Sequence, residues 1–225
     1  MPPAAPKPTR VSDAYDRLKA EILMGRMPPG FQAPEPEIAL RLGMSRTPVR
    51  EALIRLEAEG LVQLIPRRGA RVLPVRAEDM REIYAILTAL EPEAAAALAE
   101  SGAKAEDLAA LEAAVAEMEV ALAAQDLDRW AAADDAFHRA LLAAQDNRRL
   151  EGIALSLYDQ AHRARVITLR MRGEGLAQST ADHREILTHI QRGDGSSARR
   201  VFRSHRKRAA RELLHILETY KLGQL

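Results

Sequence analysis

Two groups of residues are of types that do chemistry at the spacings this chain gives them. The first is Ser45, Arg46, Thr47 and Arg50. Arg46 and Arg50 lie four apart, so on a helix they project together. Ser45 suits the N-cap, and Pro48 suits a first turn because the amide it lacks would be unpaired there. The arginines therefore stand at a helix end that carries partial positive charge and free backbone amides. Such an end suits a phosphate backbone, and Arg binds a guanine edge in a bidentate way in the major groove. The plainer reading of the same turn is a pair of solvated arginines on an ordinary amphipathic helix.

The second group is Asp134, His138, His183 and His205. Asp134 and His138 are four apart within an Ala- and Leu-flanked helical stretch and share one face. His183 and His205 fall on two later stretches of the same kind. One carboxylate oxygen and three imidazoles drawn from three helices can converge in a bundle core on a divalent cation. Satisfied core or surface histidines are the more frequent explanation of such spacing, and the pattern alone is weak evidence for a metal. No Ser–His or Glu–His pairing and no glycine-rich phosphate loop marks a catalytic centre.

The elements that must position the first group are legible around it. Val49, Ala52, Leu53, Leu56 and Leu61 form one apolar stripe opposite the arginines, and Gly60 fits the stop of the helix. Val62 to Ile65 and Ala70 to Val75 read as two short strands joined by the basic turn Pro66-Arg67-Arg68-Gly69. Upstream, Val11, Tyr15, Leu18 and Ile22 predict a first helix ended by Gly25, and Pro28-Pro29-Gly30 predicts a turn. Ile38, Ala39 and Leu42 predict a short helix closed by Gly43. Helix pair, basic-ended helix and hairpin together make a winged helix-turn-helix.

The run from Leu18 to Val72 resembles the DNA-binding domain of the GntR superfamily of bacterial transcription regulators. The words that carry the resemblance include Pro29-Gly30, Leu42-Gly43, Ser45-Arg46-Thr47-Pro48-Val49-Arg50-Glu51-Ala52-Leu53, Leu56-Glu57-Ala58-Glu59-Gly60-Leu61 and Arg68-Gly69. The resemblance implies DNA contact by Ser45, Arg46, Thr47 and Arg50 and by the wing glycine Gly69. Ala33 replaces a larger apolar residue usual in that family, and Pro36 stands where some members carry a DNA-contacting Arg.

Beyond Pro74 the pattern changes. Six helices are predicted near 77–101, 105–125, 127–144, 148–172, 176–192 and 195–222, with Gly102, Asp126, Asp146-Asn147, 173–175 and 193–195 as breaks and a bend at Pro92. The fourth of these is expected to bury Leu150, Ile153, Leu157, Ala161 and Ala164, with Tyr158 and Arg165 at its edge. The fold class is thus mainly α: a winged helix-turn-helix at 11–75, then an all-helical antiparallel bundle at 77–222, preceded by a disordered tail at 1–10.

Composition agrees with that division. The chain has 225 residues, a net charge of +1 and no cysteine, which excludes disulfides and thiolate metal ligation. Residues 1–74 carry a net +4, residues 75–130 a net −9 and residues 131–225 a net +6. A basic first block beside an acidic segment favours DNA contact through the first domain only. Seven basic residues between Arg199 and Arg211 read as a solvated helix face, with a second DNA patch as the alternative. No apolar run approaches the roughly 20 residues of a membrane helix, and Met1 to Thr9 lacks a signal peptide's apolar core, so the cytoplasm is the expected location.

Residues 77–222 also resemble the FCD effector-binding domain that accompanies this winged helix in one branch of the superfamily. Leu90-Glu91, Ala94-Ala95, Asp134-x-x-Phe137-His138, Asn147 with Leu150, His183 with Ile186, and His205 carry the likeness. It implies a divalent metal, whether zinc, nickel or manganese, on Asp134, His138, His183 and His205. Four protein ligands leave two positions of an octahedron for water or a ligand carboxylate. Members often carry an Arg one turn before the Leu-Glu pair, where this chain has Leu87; Arg165 is the remaining candidate to grip an anionic effector. His162, His189 and His215 match no ligand position.

The expectation is a sequence-specific, homodimeric transcription regulator, a repressor, that binds a palindromic DNA operator under control of a small organic acid. Two alternatives differ in kind. One is a regulator for which the metal ion itself is the signal, and the other is a metalloenzyme joined to a DNA-binding module.

Overall fold

The computed structural model describes residues 9–171 and 175–221, the Arg170 side chain excepted. Residues 1–8 of the tail expected at 1–10, residues 172–174 between two helices, and the last helix's end at 222 lie outside the described residues; Thr9 and Arg10, expected in the tail, cap and begin the first helix. Two compact units meet between Val75 and Arg76.

In the first unit, α1 (Arg10–Leu23), α2 (Glu35–Leu42) and α3 (Arg46–Ala58) are followed by β2 (Val62–Ile65) and β3 (Gly69–Val72). A third strand, β1 (Gln32–Ala33), pairs antiparallel with β3, so the sheet order is β1-β3-β2. The two-strand wing read from the sequence is therefore three-stranded. Leu18, Val49, Ala52, Leu56 and Leu61 are buried and close the core beneath the helices. Gly43, in the left-handed region at φ 65°, turns the chain from α2 toward α3 at no steric cost.

Gly69 is held to glycine by packing. It opens β3 opposite Ile65, with φ 86°, and a Cβ built there would stand 2.1 Å from the Ala33 carbonyl oxygen and 2.5 Å from Pro34 Cα. Those neighbours are backbone and cannot swing aside. Gly69→Ala is expected to destabilise this unit by more than about 2 kcal/mol, which lowers its melting temperature by roughly 10 °C. Thermal unfolding followed by circular dichroism checks this, and an unshifted transition would refute the close approach.

The second unit is all helix among the described residues: α4 (Ala77–Ser101), α5 (Ala105–Ala123), α6 (Leu127–Ala144), α7 (Arg148–Thr168, continued by a 3-10 turn at Leu169–Met171), α8 (Gly175–Gln191) and α9 (Gly195–Thr219). Side-chain caps start three of them: Asp126 accepts from the Arg129 amide at 3.0 Å, Asn147 from Leu150 at 3.1 Å and Asp194 from Ser197 at 2.9 Å. Pro92 is accommodated inside α4, buried. α4 packs on α9 and α7, and α5 packs on α6 and α8. One apolar core, from Leu98 and Leu111 through Trp130, Phe137 and Leu141 to Ile186 and Phe202, runs between them. Trp130 is anchored by donating to Thr180 Oγ1 at 2.9 Å. Within the described residues, no helix is long and apolar enough to cross a membrane.

α7 corrects one expectation. Ile153 is exposed and Leu150 and Leu157 are half-buried, whereas Ala154, Tyr158, Ala161 and Arg165 face inward. The buried stripe is rotated by about one residue. Polar members are tolerated in it because they find partners there, Asp159 with Arg139 and Arg165 with Asp134.

Candidate nucleic-acid interface and metal centre

α3 begins at Ser45, whose backbone is extended and whose side chain makes no capping bond, so its hydroxyl is not consumed by the helix. Ser45, Arg46, Thr47 and Arg50 are all exposed, while Pro48 and Val49 turn into the core. Arg46 and Arg50 line a groove of about 460 Å³ with Glu35, Pro36, Arg67 and Gly69. The fold thus brings Arg46, Arg50 and Gly69 of the expected DNA face to one groove, and Thr47 lines a second with both arginines. Arg67 shares the first groove, a residue that spacing did not single out. It sits in the wing turn at φ 63°, an uncommon conformation for a residue with a side chain, and its signal was only the basic Pro66-Arg67-Arg68-Gly69 turn.

In the second unit, α6 supplies Asp134 and His138 on one face, α8 supplies His183 and α9 supplies His205. The three imidazoles each offer a nitrogen within 4.8 Å of the others, all buried. His138 Nε2 lies 3.2 Å from His183 Nε2, and Asp134 Oδ1 lies 3.6 Å from His183 Nε2 and 3.8 Å from His138 Nε2. All four sequence-predicted ligand residues are therefore together. Nitrogens about 3.0–3.4 Å apart are what two ligands of one ion at roughly 2.1 Å present, so the donor set fits a divalent metal.

Each ring is held from its far side. His183 Nδ1 donates to the Ser179 carbonyl at 2.7 Å, and His205 Nδ1 donates to Asp182 Oδ2 at 3.1 Å, which leaves Nε2 of each for the shared centre. Asp182 is in turn fixed by Gln178 and Arg208. His138 Nδ1 lies 3.0 Å from both Glu91 Oε1 and Arg206 Nη2. Such outer partners set ring orientation and tautomer. Asp182 and Arg206 were not among the residues singled out from the sequence, and Glu91 entered only as part of the Leu90-Glu91 pair. Arg206 departs from the solvated face read for the basic run, of which Arg200, Arg203, Lys207 and Arg211 are exposed as expected. It is 1% exposed and paired with Glu91, Arg199 and Arg203 pair with Glu93, and Arg208 pairs with Asp182.

Arg165 is buried on α7 and donates from Nη1 to Asp134 Oδ2 at 3.1 Å. Its guanidinium lies 4.2 Å from the Tyr158 ring centroid. Nε and Nη2 of Arg165 and the hydroxyls of Tyr84 and Tyr158 are buried without a hydrogen-bond partner among the described residues. His162 is half-buried against Asp135 at 3.3 Å, His189 is half-buried near Asp194, and His215 is exposed.

Electrostatics follow from burial. Burial pushes the Asp134 carboxyl up, but Arg165 and the three histidines outweigh it and hold the group well below the usual carboxylate range. Burial depresses all three imidazoles, His205 to about 4. An unfolded imidazole takes up a proton near pH 6.5, and folded His205 does so only near 4, so between these values the unfolded chain binds more protons. Stability of the metal-stripped protein is therefore full above about pH 6.5 and falls as pH drops toward 4, by on the order of 3 kcal/mol for His205 alone. His138 and His183 act in the same direction. Urea unfolding of chelator-treated protein at pH 7 and pH 5 measures this, and equal midpoints would contradict it.

The comparisons with known proteins identify the family of each unit. Residues 10–72 match the model of bacterial regulatory proteins of the gntR family, and residues 82–208 match the FCD domain. An HTH-type transcriptional regulator from the TAR-I ttuE-ttuC' intergenic region of Agrobacterium vitis is 46% identical over 60% of this chain and 80% of its own length. The HTH-type transcriptional repressor RspR of Escherichia coli is 28% identical over 85% of this chain and 83% of its own. The solved structure of E. coli McbR/YncC has the same fold, with a TM-score of 0.82 at 22% identity over 95% of this chain and 99% of that one. Relatives and fold are those of transcription regulators, not enzymes. The chain belongs to the GntR family of bacterial DNA-binding regulators, in the branch whose second domain is FCD.

Proposed function

We propose that the chain is a cytoplasmic repressor that binds a palindromic double-stranded operator as a homodimer and responds to a small organic acid. Ser45, Arg46, Thr47, Arg50 and Gly69 dock on each half-site, and Arg67 joins them from the wing. A repressor role is in keeping with the E. coli relative of that name. Asp134, His138, His183 and His205 hold a divalent metal, of which zinc, nickel and manganese suit the ligands. When bound, the ion supplies a Lewis acid for an effector carboxylate.

The observation that carries the effector reading is the set of orphaned donors beside the histidines. A buried donor without a partner costs roughly 1–3 kcal/mol. Arg165 has two such nitrogens, and Tyr84 and Tyr158 each add a hydroxyl. A small acid with several oxygens would satisfy them together.

The test is operator affinity by fluorescence anisotropy, on a site selected from random DNA, with zinc and a panel of acetate, lactate, malate, tartrate and gluconate. At least one acid is expected to change affinity by about 5- to 150-fold in the wild type and to have no effect on Arg165→Met. Removing zinc with no response to any acid would make the ion itself the signal if affinity changes. Affinity indifferent to both would refute control through this site.

A further inference from the structure

The hydrogen bonds around His138 contain a conflict that only one nitrogen can resolve. Nδ1 stands 3.0 Å from Arg206 Nη2, which can only donate, and 3.0 Å from Glu91 Oε1, a carboxylate oxygen that accepts. Arg206 and Glu91 are themselves an ion pair, with Nη2 to Oε1 at 2.5 Å, and both are buried. A neutral ring satisfies one of them at a time. If Nδ1 is bare it accepts from Arg206, and if Nδ1 carries the proton it donates to Glu91.

The rest of the chain of bonds fixes which state belongs to the metal-free protein. His183 Nδ1 faces the Ser179 carbonyl, an acceptor, so its proton is on Nδ1 and its Nε2 is a bare acceptor. His138 Nε2, 3.2 Å away, must then donate to it, which puts the His138 proton on Nε2. The order of donation is Arg206 to His138 to His183 to Ser179, and each link is satisfied. Ligation of a cation by His138 Nε2 is incompatible with that arrangement, because the nitrogen must present its lone pair. The N–H bond at Nε2 is lost and one at Nδ1 is gained, with no net change in protons.

We infer that Glu91 and Arg206 form a tautomer fork: Arg206 on α9 holds His138 in its metal-free state, and Glu91 on α4 holds it in its metal-bound state. The inference rests on the metal reading proposed above. Glu91 and Arg206 are positioning residues, acting through His138 and touching neither ion nor effector. Loading the centre transfers one hydrogen bond from α9 to α4, within the helix pair that shares the buried Glu91–Arg206 contact. Occupancy is thereby reported to α4, the helix that directly follows the winged-helix unit in the chain.

The experiment is long-range 1H–15N spectroscopy of full-length protein labelled with 15N-histidine, with His138 assigned by comparison with His138→Gln. The protein is read with chelator and then with zinc sulfate alone. His138 is expected to show the Nε2–H pattern without zinc and the Nδ1–H pattern with it. In parallel, Glu91→Gln is expected to lower zinc affinity by about 10- to 100-fold, while Arg206→Met does not lower it. A His138 tautomer that is Nδ1–H in both states, or a Glu91→Gln affinity within twofold of wild type, would overturn the fork while leaving the metal reading intact. A wild type that takes up no zinc would overturn both. Should the variants fail to fold because a buried charge is stranded, the tautomer measurement on the wild type decides alone.

Discussion

His183→Ala is expected to remove stoichiometric zinc. His183 stands at the middle of the cluster, with Nε2 3.2 Å from His138 Nε2 and 3.6 Å from Asp134 Oδ1, and its ring centroid 4.6 Å from that of His205. Its orientation is set by the bond to Ser179 on the same helix, so the native ring spends no ordering entropy on binding. Loss of the ring removes a ligand outright, and affinity falls by more than the roughly 10- to 100-fold that follows loss of a group that only orients one. The wild type is expected to retain one zinc per chain through gel filtration and the variant less than a tenth of that. Zinc at about a hundred times its dissociation constant adds roughly 2.7 kcal/mol to the wild type, so melting temperature rises on loading in the wild type alone. Ala at a fully buried position also leaves a cavity, and His183→Gln separates the two effects by keeping most of the volume. Equal zinc retention in wild type and both variants would mean that the ion binds elsewhere.

The four clustered residues were legible in the sequence for a reason that did not extend to the groups that steer them. Asp134 and His138 are four apart, so helical periodicity alone placed them on one face, and the flanking Ala and Leu residues implied that the face was inward. Asp182 adjoins His183 in the chain yet orients His205, because neighbours on a helix point about 100° apart and only packing decides what each meets. Arg206 looked like one more charge in a basic run. Its partner Glu91 lies 115 residues away, and no local pattern records such a pairing.

The same distinction holds for the scaffold. Helix starts at Asp126, Asn147 and Asp194 were readable because a cap is a local bond between a side chain and an amide three residues on. Strand β1 was not, since two residues show no periodicity and Pro34 ends them; it exists because β3 offers it an edge. The α7 stripe was misplaced because hydrophobicity alone ranks Ile153 above Arg165. The partner that makes Arg165 the buried residue is Asp134 on α6.

Arg50→Ala is expected to cost more operator affinity than any other single change on the first unit. Arg50 leaves α3 one turn beyond Arg46, on the exposed side of the helix whose opposite face is locked by Val49, Leu53 and Leu56. Truncating it disturbs no core packing, so a loss of affinity reports on DNA contact and not on folding. A bidentate arginine contributes about 1–3 kcal/mol of discrimination at its base pair, and a dimer counts the loss twice. The selected operator should therefore bind about 30-fold to about 20,000-fold more weakly, with preference relaxed at one position in each half-site. Arg67→Ala, on the wing turn, should instead weaken all sequences alike and lower the salt slope by about two, one for each half of the dimer. The two variants thus assign reading to α3 and anchoring to the wing. If Arg50→Ala weakens selected and scrambled DNA equally, Arg50 contacts phosphate only and the base-reading role passes to Arg46. If it weakens neither, α3 does not enter the groove.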